Sequence, residues 1–400
     1  MPFTISKISM VRVKLLLNTP MRTAHSIIEK RPIVLIKIET SLGTGVGECS
    51  ALNDPYYSSQ YLASEEFVLQ DFLLPYLSRN TLPTTLAEVS SFFSGIKGHY
   101  MAKAAVETAL IDAVTRSENI SLLNWITEGE PTSDKIQAGI TIGIHDKPDT
   151  VVAHIAAALD KGYKRVKCKI MPGYDLDFIK AIITTFSDTY KFQLILDANE
   201  SYAPDEDAVN ILSAVANLDS RIIAIEQPFK VKDVFSLGDL REKTDCCLLL
   251  DESAYDELQI KIIGQLALGD GVVIKPARLG GILPGMAAMR LACEFGLECS
   301  LGGMYEAGIA RAVSLAMASL KEVTLGTDLG PSDNYYKTDI TKPHCMIDGY
   351  INIPNDIGLG VDLVIDPFSD ELVGSGCLEA DGDENKFLNI CRPRHFYPEY

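Results

Sequence analysis

The stretch KRVKCKIMPG, residues 164–173, places Lys167 and Lys169 two apart inside a segment that otherwise reads as a buried strand. Side chains two apart on a strand share a face, so two ammonium groups would meet on one surface. A buried charge without a partner is costly. Other short apolar runs end in groups that would answer these lysines. FQLILDAN ends at Asp197 and Asn199, RIIAIEQP at Glu226 and Gln227, CCLLLDES at Asp251 and Glu252, and DGVVIKPA leads into Lys275. One acid after an apolar run is most often a solvated strand end or a helix N-cap. Three acids after successive runs, flanked by three lysines, imply a single mouth on which all six converge.

Three carboxylates gathered at one mouth repel each other, and some must be protonated unless a cation intervenes. Ligation by oxygen alone, from Asp197, Glu226 and Asp251, suits a hard ion, Mg2+ or Mn2+; no histidine accompanies the set to favour zinc. A lysine near other cations and partly withdrawn from water has a lowered pKa and can act as a general base. Lys167 and Lys169 would approach from one side and Lys275 from the other. Arg278 would add a cation that helps keep Lys275 unprotonated. A metal that draws electrons from a carboxylate, with a base on either face, is equipment for removing a proton α to that carboxylate.

The elements that must position these groups show in the spacing. Lys167, Asp197, Glu226, Asp251, Lys275 and Gly302 follow one another at intervals of 30, 29, 25, 24 and 27 residues. A strand, a helix and their loops need roughly 30 residues, and alternating βα units build a parallel sheet. Seven or eight such units favour a closed barrel, whose strands deliver their C-terminal ends to one mouth. No GxGxxG or P-loop is present to suggest an open nucleotide-binding sheet. Upstream, ISKISMVRVKLLL alternates, and PIVLIKIETSLGTGVGE predicts a hairpin turning near Gly43–Gly47. From residue 87 to 118, apolar residues recur at helical spacing. The expected division is an α+β domain over 1–130, the barrel over 131–325, a return segment over 326–367 and an acidic tail over 368–400. An inert extension is the favoured reading of that tail, an oligomer contact the alternative.

Composition narrows the class further. A net charge of −18 argues against a nucleic-acid partner, which needs a cationic surface. Nine cysteines with no CxxC read as reduced thiols of a cytoplasmic protein. The N-terminus lacks the cleavage site of a signal peptide, and no apolar run is long enough to span a membrane.

In this order and spacing, KCK, LDAN, IEQP, DES, IKPARLGG and LGGMYEAGIARA resemble the muconate lactonizing branch of the enolase superfamily. The nearest likeness is to its o-succinylbenzoate synthase/N-succinylamino acid racemase family. GVGECSALNDPYYSSQY and HYMAKAAVETALIDA extend the resemblance over about residues 5–365. It implies a (β/α)7β TIM-like barrel capped by an α+β domain built from the N-terminal part and the return segment. By motif position, Asp197, Glu226 and Asp251 match the Mg2+ ligands and Lys169 the acid/base, with Lys167 as its cationic neighbour. Lys275 matches the group on the opposite face, and Asn199 supports the metal and substrate. Thr23, His25, Ser26, Tyr56 and Tyr57 in capping loops, with Gly302, Met304 and Glu306 past the seventh strand, are expected to shape the pocket for a small carboxylate. A homo-oligomer is implied as well. The implied reaction is dehydration to o-succinylbenzoate, for menaquinone synthesis, through an enediolate. The alternative is two-lysine racemisation of N-acylamino acids, or both activities. Dipeptide epimerase and muconate cycloisomerase are weaker readings, the former because GGMYEAGIA holds Glu306 as its one acid. A retired, non-catalytic barrel would have shed ligands or bases, and none is missing.

Overall fold

The computed structural model describes residues 4–22, 27–79, 88–130, 132–186, 190–369 and 394–396. Three strands open the chain: β1 (Ile5–Arg22), β2 (Ile27–Thr40) and β3 (Thr44–Cys49), paired antiparallel in that order. The hairpin turns at residues 41–43, so Gly43 closes the turn while Gly45 and Gly47 fall beyond it. Gly45 and Gly47 lie inside β3 because a helix backbone crosses them. A Cβ on Gly45 would sit 2.0 Å from the Ala109 oxygen, and one on Gly47 1.8 Å from that of Ala105. That helix, Tyr100–Ser117, is shorter than the periodicity predicts. Gly98 and His99 take positive φ of 63° and 52° and separate it from a short turn at Val89–Phe92. Left-handed backbone cannot continue a right-handed helix.

After β4 (Lys135–Gln137), eight parallel strands form the barrel sheet: β5 (Gly139–Ile142), β6 (Arg165–Lys169), β7 (Gln193–Asp197), β8 (Ile222–Glu226), β9 (Cys247–Leu250), β10 (Gly271–Ile274), β11 (Glu298–Leu301) and β12 (Gly326–Thr327). They pair in chain order, and the Gly139 amide donates to the Leu329 carbonyl (2.9 Å) to bring the two outer strands together. Covered on both faces, β7 to β10 are nearly continuous apolar runs up to their last residues; Val272 and Ile274 are wholly buried. The eighth strand starts at Gly326, the first residue of the stretch expected to leave the barrel.

Beyond it, β14 (Tyr350–Asn352) pairs antiparallel with β4 on one side and with β13 (Met346–Ile347) on the other. The chain then returns to the capping helix: Asp112 accepts from the Leu359 amide (3.0 Å), and Arg116 bonds Asp362 (2.9 Å). The tail is not inert throughout. Residues Arg394–Phe396 form β15, antiparallel to Ile8–Met10 on the open edge of β1. Cap and barrel also share helix ends. Glu107 of the capping helix accepts from the Ile282 and Leu283 amides, which open the barrel helix Ile282–Glu294. Among the described residues no helix is long and apolar enough to cross a membrane.

Candidate active site

Strand register does most of the positioning. Lys169 pairs with Asp197 and Asp197 with Glu226, so three functional groups stand level on adjacent strands β6, β7 and β8. Alternation puts Arg165, Lys167 and Lys169 on the barrel's inner face, and Val166 and Cys168 on the outer one. β6 and β10 are four places apart in a ring of eight, which sets Lys169 and Lys275 on opposite walls. One cavity of about 100 Å³ takes in Lys167, Lys169, Asp197, Glu226, Asp251 and Lys275. The convergence read from the sequence is therefore present in the fold.

Each carboxylate is answered by a cation. Lys169 Nζ donates to Asp197 Oδ2 (2.5 Å) and to Asn199 Oδ1 (2.6 Å). Lys167 Nζ donates to Glu226 Oε1 (2.9 Å) and lies 2.6 Å from Asp328 Oδ2. Lys275 Nζ and Arg278 Nη1 bond the two oxygens of Asp251, at 2.7 and 2.5 Å. Burial opposes the charge on Asp251, but Lys275 and Arg278 outweigh it and hold the carboxyl well below its usual range. Burial likewise opposes the charge on Lys275, and Asp251 overcomes this and holds the ammonium above its ordinary range. Arg278 is thus spent on Asp251 and does not leave Lys275 unprotonated, as the sequence suggested it would. Burial, then Asp197, pushes Glu226 up, and burial with Asp251 and Asp197 raises Glu252 to about 8.

Among the described residues, no three carboxylate, imidazole or thiol groups stand close enough to grip an ion as they are; ammonium groups occupy the space between them. The donors nevertheless suit a hard cation. They are all oxygens and line one cavity. Glu226 Oε2 is buried without a hydrogen bond, although Lys167 Nζ is 2.7 Å away. A buried, partly unsatisfied carboxylate set favours added positive charge.

The expected pocket residues divide. Asn199, Tyr56, Tyr57 and Met304 line the cavity. Tyr57 takes bonds on its hydroxyl from Lys275 (2.9 Å) and Arg278 (2.6 Å), while Tyr56 is 65% exposed at the rim. Gly302, Arg278 and Glu306 do not line it. Gly302 leaves room for the Lys275 stem, since a Cβ there would fall 3.0 Å from Lys275 Cε. Glu306 turns back to accept from the Met304 amide (2.7 Å) and pairs with buried Arg311 (3.1 Å), so it braces the loop. Thr23, His25 and Ser26 lie outside the described residues.

Several cavity residues were not anticipated: Asp328, Thr141, Tyr305, Arg311 and Tyr335. Asp328 had a usable signal, since TDLG follows Gly302 by another repeat interval, but a two-residue strand carries no apolar run. It also relocates the last strand's end. That end reads Thr327-Asp328-Leu329-Gly330, one acid paired with Lys167, whereas the sequence argument about epimerases looked at Glu306. Gln227, at a positive φ of 38°, ties two strand ends together by accepting from the Asp251 (3.1 Å) and Ser253 (3.0 Å) amides.

Comparison with known proteins agrees with this architecture. A family model described as "Mandelate racemase / muconate lactonizing enzyme, N-terminal domain" matches residues 5–126, and "Enolase C-terminal domain-like" matches 150–366. The chain is 34% identical to N-succinylamino acid racemase of Amycolatopsis sp over 89% of this chain and 94% of that protein. It is 32% identical to o-succinylbenzoate synthase of Enterococcus faecalis V583 over 90% and 95%. The crystal structure of an enolase superfamily member from Listeria innocua superposes with a TM-score of 0.86 at 26% identity, covering 99% of this chain and 100% of that one. The chain belongs to the enolase superfamily, and within it to the family of the o-succinylbenzoate synthases and N-succinylamino acid racemases.

Proposed function

We propose that the chain is an o-succinylbenzoate synthase-like enzyme that removes a proton α to a carboxylate and expels a β-hydroxyl. The observation that carries this reading is the placement of Lys169 and Lys275 on opposite walls of one cavity, with Asp197, Glu226 and Asp251 between them. Asp197, Glu226 and Asp251 would hold Mg2+, which supplies positive charge to the substrate carboxylate as negative charge develops on it.

Lys169 is the base. Asp197 and Asn199 hold its ammonium in the resting protein, and a cation competing for Asp197 would free the amine. In the dehydration the α C–H bond breaks to Lys169, a C=C bond forms, and the β C–O bond breaks. The Lys169 ammonium returns its proton to the departing hydroxide, giving water. Lys275 stays protonated on the far wall beside the developing anion, oriented by Tyr57. Lys275 is buried and Lys169 largely so, which limits the water that could quench the carbanion.

N-succinylamino acid racemisation is the second reading, alone or alongside the first. It is favoured by Lys275, which can take or deliver a proton on the face opposite Lys169, and by the likeness to the Amycolatopsis racemase. The test pairs two assays on the magnesium-loaded enzyme: o-succinylbenzoate formation, and α-proton exchange of N-succinyl-L-phenylalanine in D2O with chiral analysis. Lys275→Arg should abolish racemisation while dehydration persists, because the positive charge is kept and the base is not. Equal loss of both refutes the one-sided assignment, and inactivity of the parent enzyme in both assays refutes the reaction class.

A further inference from the structure

The turn Gly303–Glu306 enters the cavity from the barrel, but it is held from the capping domain. Arg31, at the start of the apolar half of β2, is 1% exposed. Its guanidinium donates to five carbonyl oxygens: Pro32, Ser50 and Ala51 of the cap, and Met304 and Tyr305 of the turn (both 3.3 Å). Glu48, on β3, reaches the end of the same turn. It accepts from the Ala307 amide (2.8 Å) and from the Ala310 amide (2.9 Å), at the opening of helix Gly308–Met317, whose N-cap Ala307 has no capping side chain of its own. Ser50 donates to Glu48 (2.9 Å) and gives its carbonyl to Arg31, linking the two grips.

The turn sends Gly303, Met304 and Tyr305 into the cavity, and the last two are the residues whose carbonyls Arg31 holds, just ahead of the Glu48 grip. Tyr305 has a positive φ of 57°, an unfavourable conformation for a bulky residue that persists where its surroundings fix it. We propose that Arg31 and Glu48 are positioning residues: from the capping domain they clamp the Met304–Ala307 turn and so set the cavity wall that receives the substrate's non-reacting part. The inference rests on the cavity being the substrate site proposed above. Neither residue lines the cavity, so both act through the backbone they hold.

Glu107 supplies a matched control. It is a buried capping-domain carboxylate that also takes the amides opening a barrel helix, but neither Ile282 nor Leu283 lines the cavity. The experiment measures KM and kcat on the magnesium-loaded enzyme for Arg31→Met, Arg31→Lys, Glu48→Gln and Glu107→Gln. Amide hydrogen exchange over residues 303–312 and melting temperature are recorded on the same samples. The clamp predicts that Arg31→Met and Glu48→Gln raise KM about tenfold while kcat changes by less than about threefold, a loss of ground-state fit. Exchange over 303–312 should rise in both. Arg31→Lys, which keeps the charge but not the planar fork, should recover part of the KM. Glu107→Gln should lower the melting temperature with KM and the 303–312 exchange unchanged.

If the clamp variants lose stability like Glu107→Gln and KM stays put, the two residues are merely structural and the proposal fails. Should Arg31→Met not fold, Arg31→Lys and Glu48→Gln decide the matter. If the parent enzyme turns over neither substrate, the functional reading fails, and 303–312 exchange in Glu48→Gln against Glu107→Gln still tests the clamp.

Discussion

Burial is the largest influence on Glu48 and pushes its carboxyl from 4.5 up to about 7, against the pull of the Ala310 and Ala307 amides. The folded chain therefore keeps a proton between these values that the unfolded chain has released. Stability from this group is present at pH 4.5 and is lost as pH rises through 7, by about 3 kcal/mol for a shift of this size. Glu48→Gln has nothing to titrate, so the gap between parent and variant should move against the parent by that amount from pH 4.5 to 7.5. Urea unfolding midpoints across that range measure it, and parallel profiles would mean that the carboxyl ionises normally. Glu48 was read as part of a motif, GVGECSALND, without a role; Arg31 drew no notice, because a lone KR before a proline looks like solvated surface. Lys167, Asp197, Glu226, Asp251 and Lys275 were legible for the opposite reason. Each interrupts or ends an apolar run, and a charge there demands an explanation.

Elements were legible where several residues share one environment. The strands β7 to β10 announce themselves because both faces are buried and the side chains are correspondingly apolar. β12 does not, being only Gly326–Thr327 and running straight into Asp328. The helix at Tyr100–Ser117 was seen but drawn too long, since apolar spacing survives a break in the backbone that Gly98 and His99 create. Of the glycines read as the hairpin turn, Gly43 does lie in it, but Gly45 and Gly47 serve the helix's close approach to β3 instead. Gly47→Ala tests that account. The added methyl meets the Ala105 carbonyl and has no flexible side chain to displace, so the helix must shift. A loss of about 2–3 kcal/mol is expected, in the range of overpacked cores. Equilibrium denaturation measures it, and a change below about 0.5 kcal/mol, the scatter of surface substitutions, would refute the close-approach reading.

On the scale of the molecule, the lysines of the cavity are already paired with its carboxylates, and a divalent ion held by Asp197, Glu226 and Asp251 would compete with them. Mg2+ at a hundred times its Kd should then stabilise the fold by about 2.7 kcal/mol. Thermal unfolding with Mg2+ and with chelator reads this, and Asp197→Asn, Glu226→Gln and Asp251→Asn should each erase the difference; a shift that survives all three would place the ion elsewhere. Ending the chain at Ser369 removes β15 and bares the β1 edge at Ile8–Met10. Light scattering should show concentration-dependent association of the shortened chain with turnover per site unchanged, since an unpaired edge is a template for pairing. Loss of turnover would instead tie the edge strand to the cavity. β15 also bears on synthesis. Its partner β1 leaves the ribosome some 390 residues earlier, on the order of twenty to eighty seconds at ordinary elongation rates. Through that interval the outermost strand of the cap is half dressed, and a chaperone that shields it must let go in time for the last residues to dock.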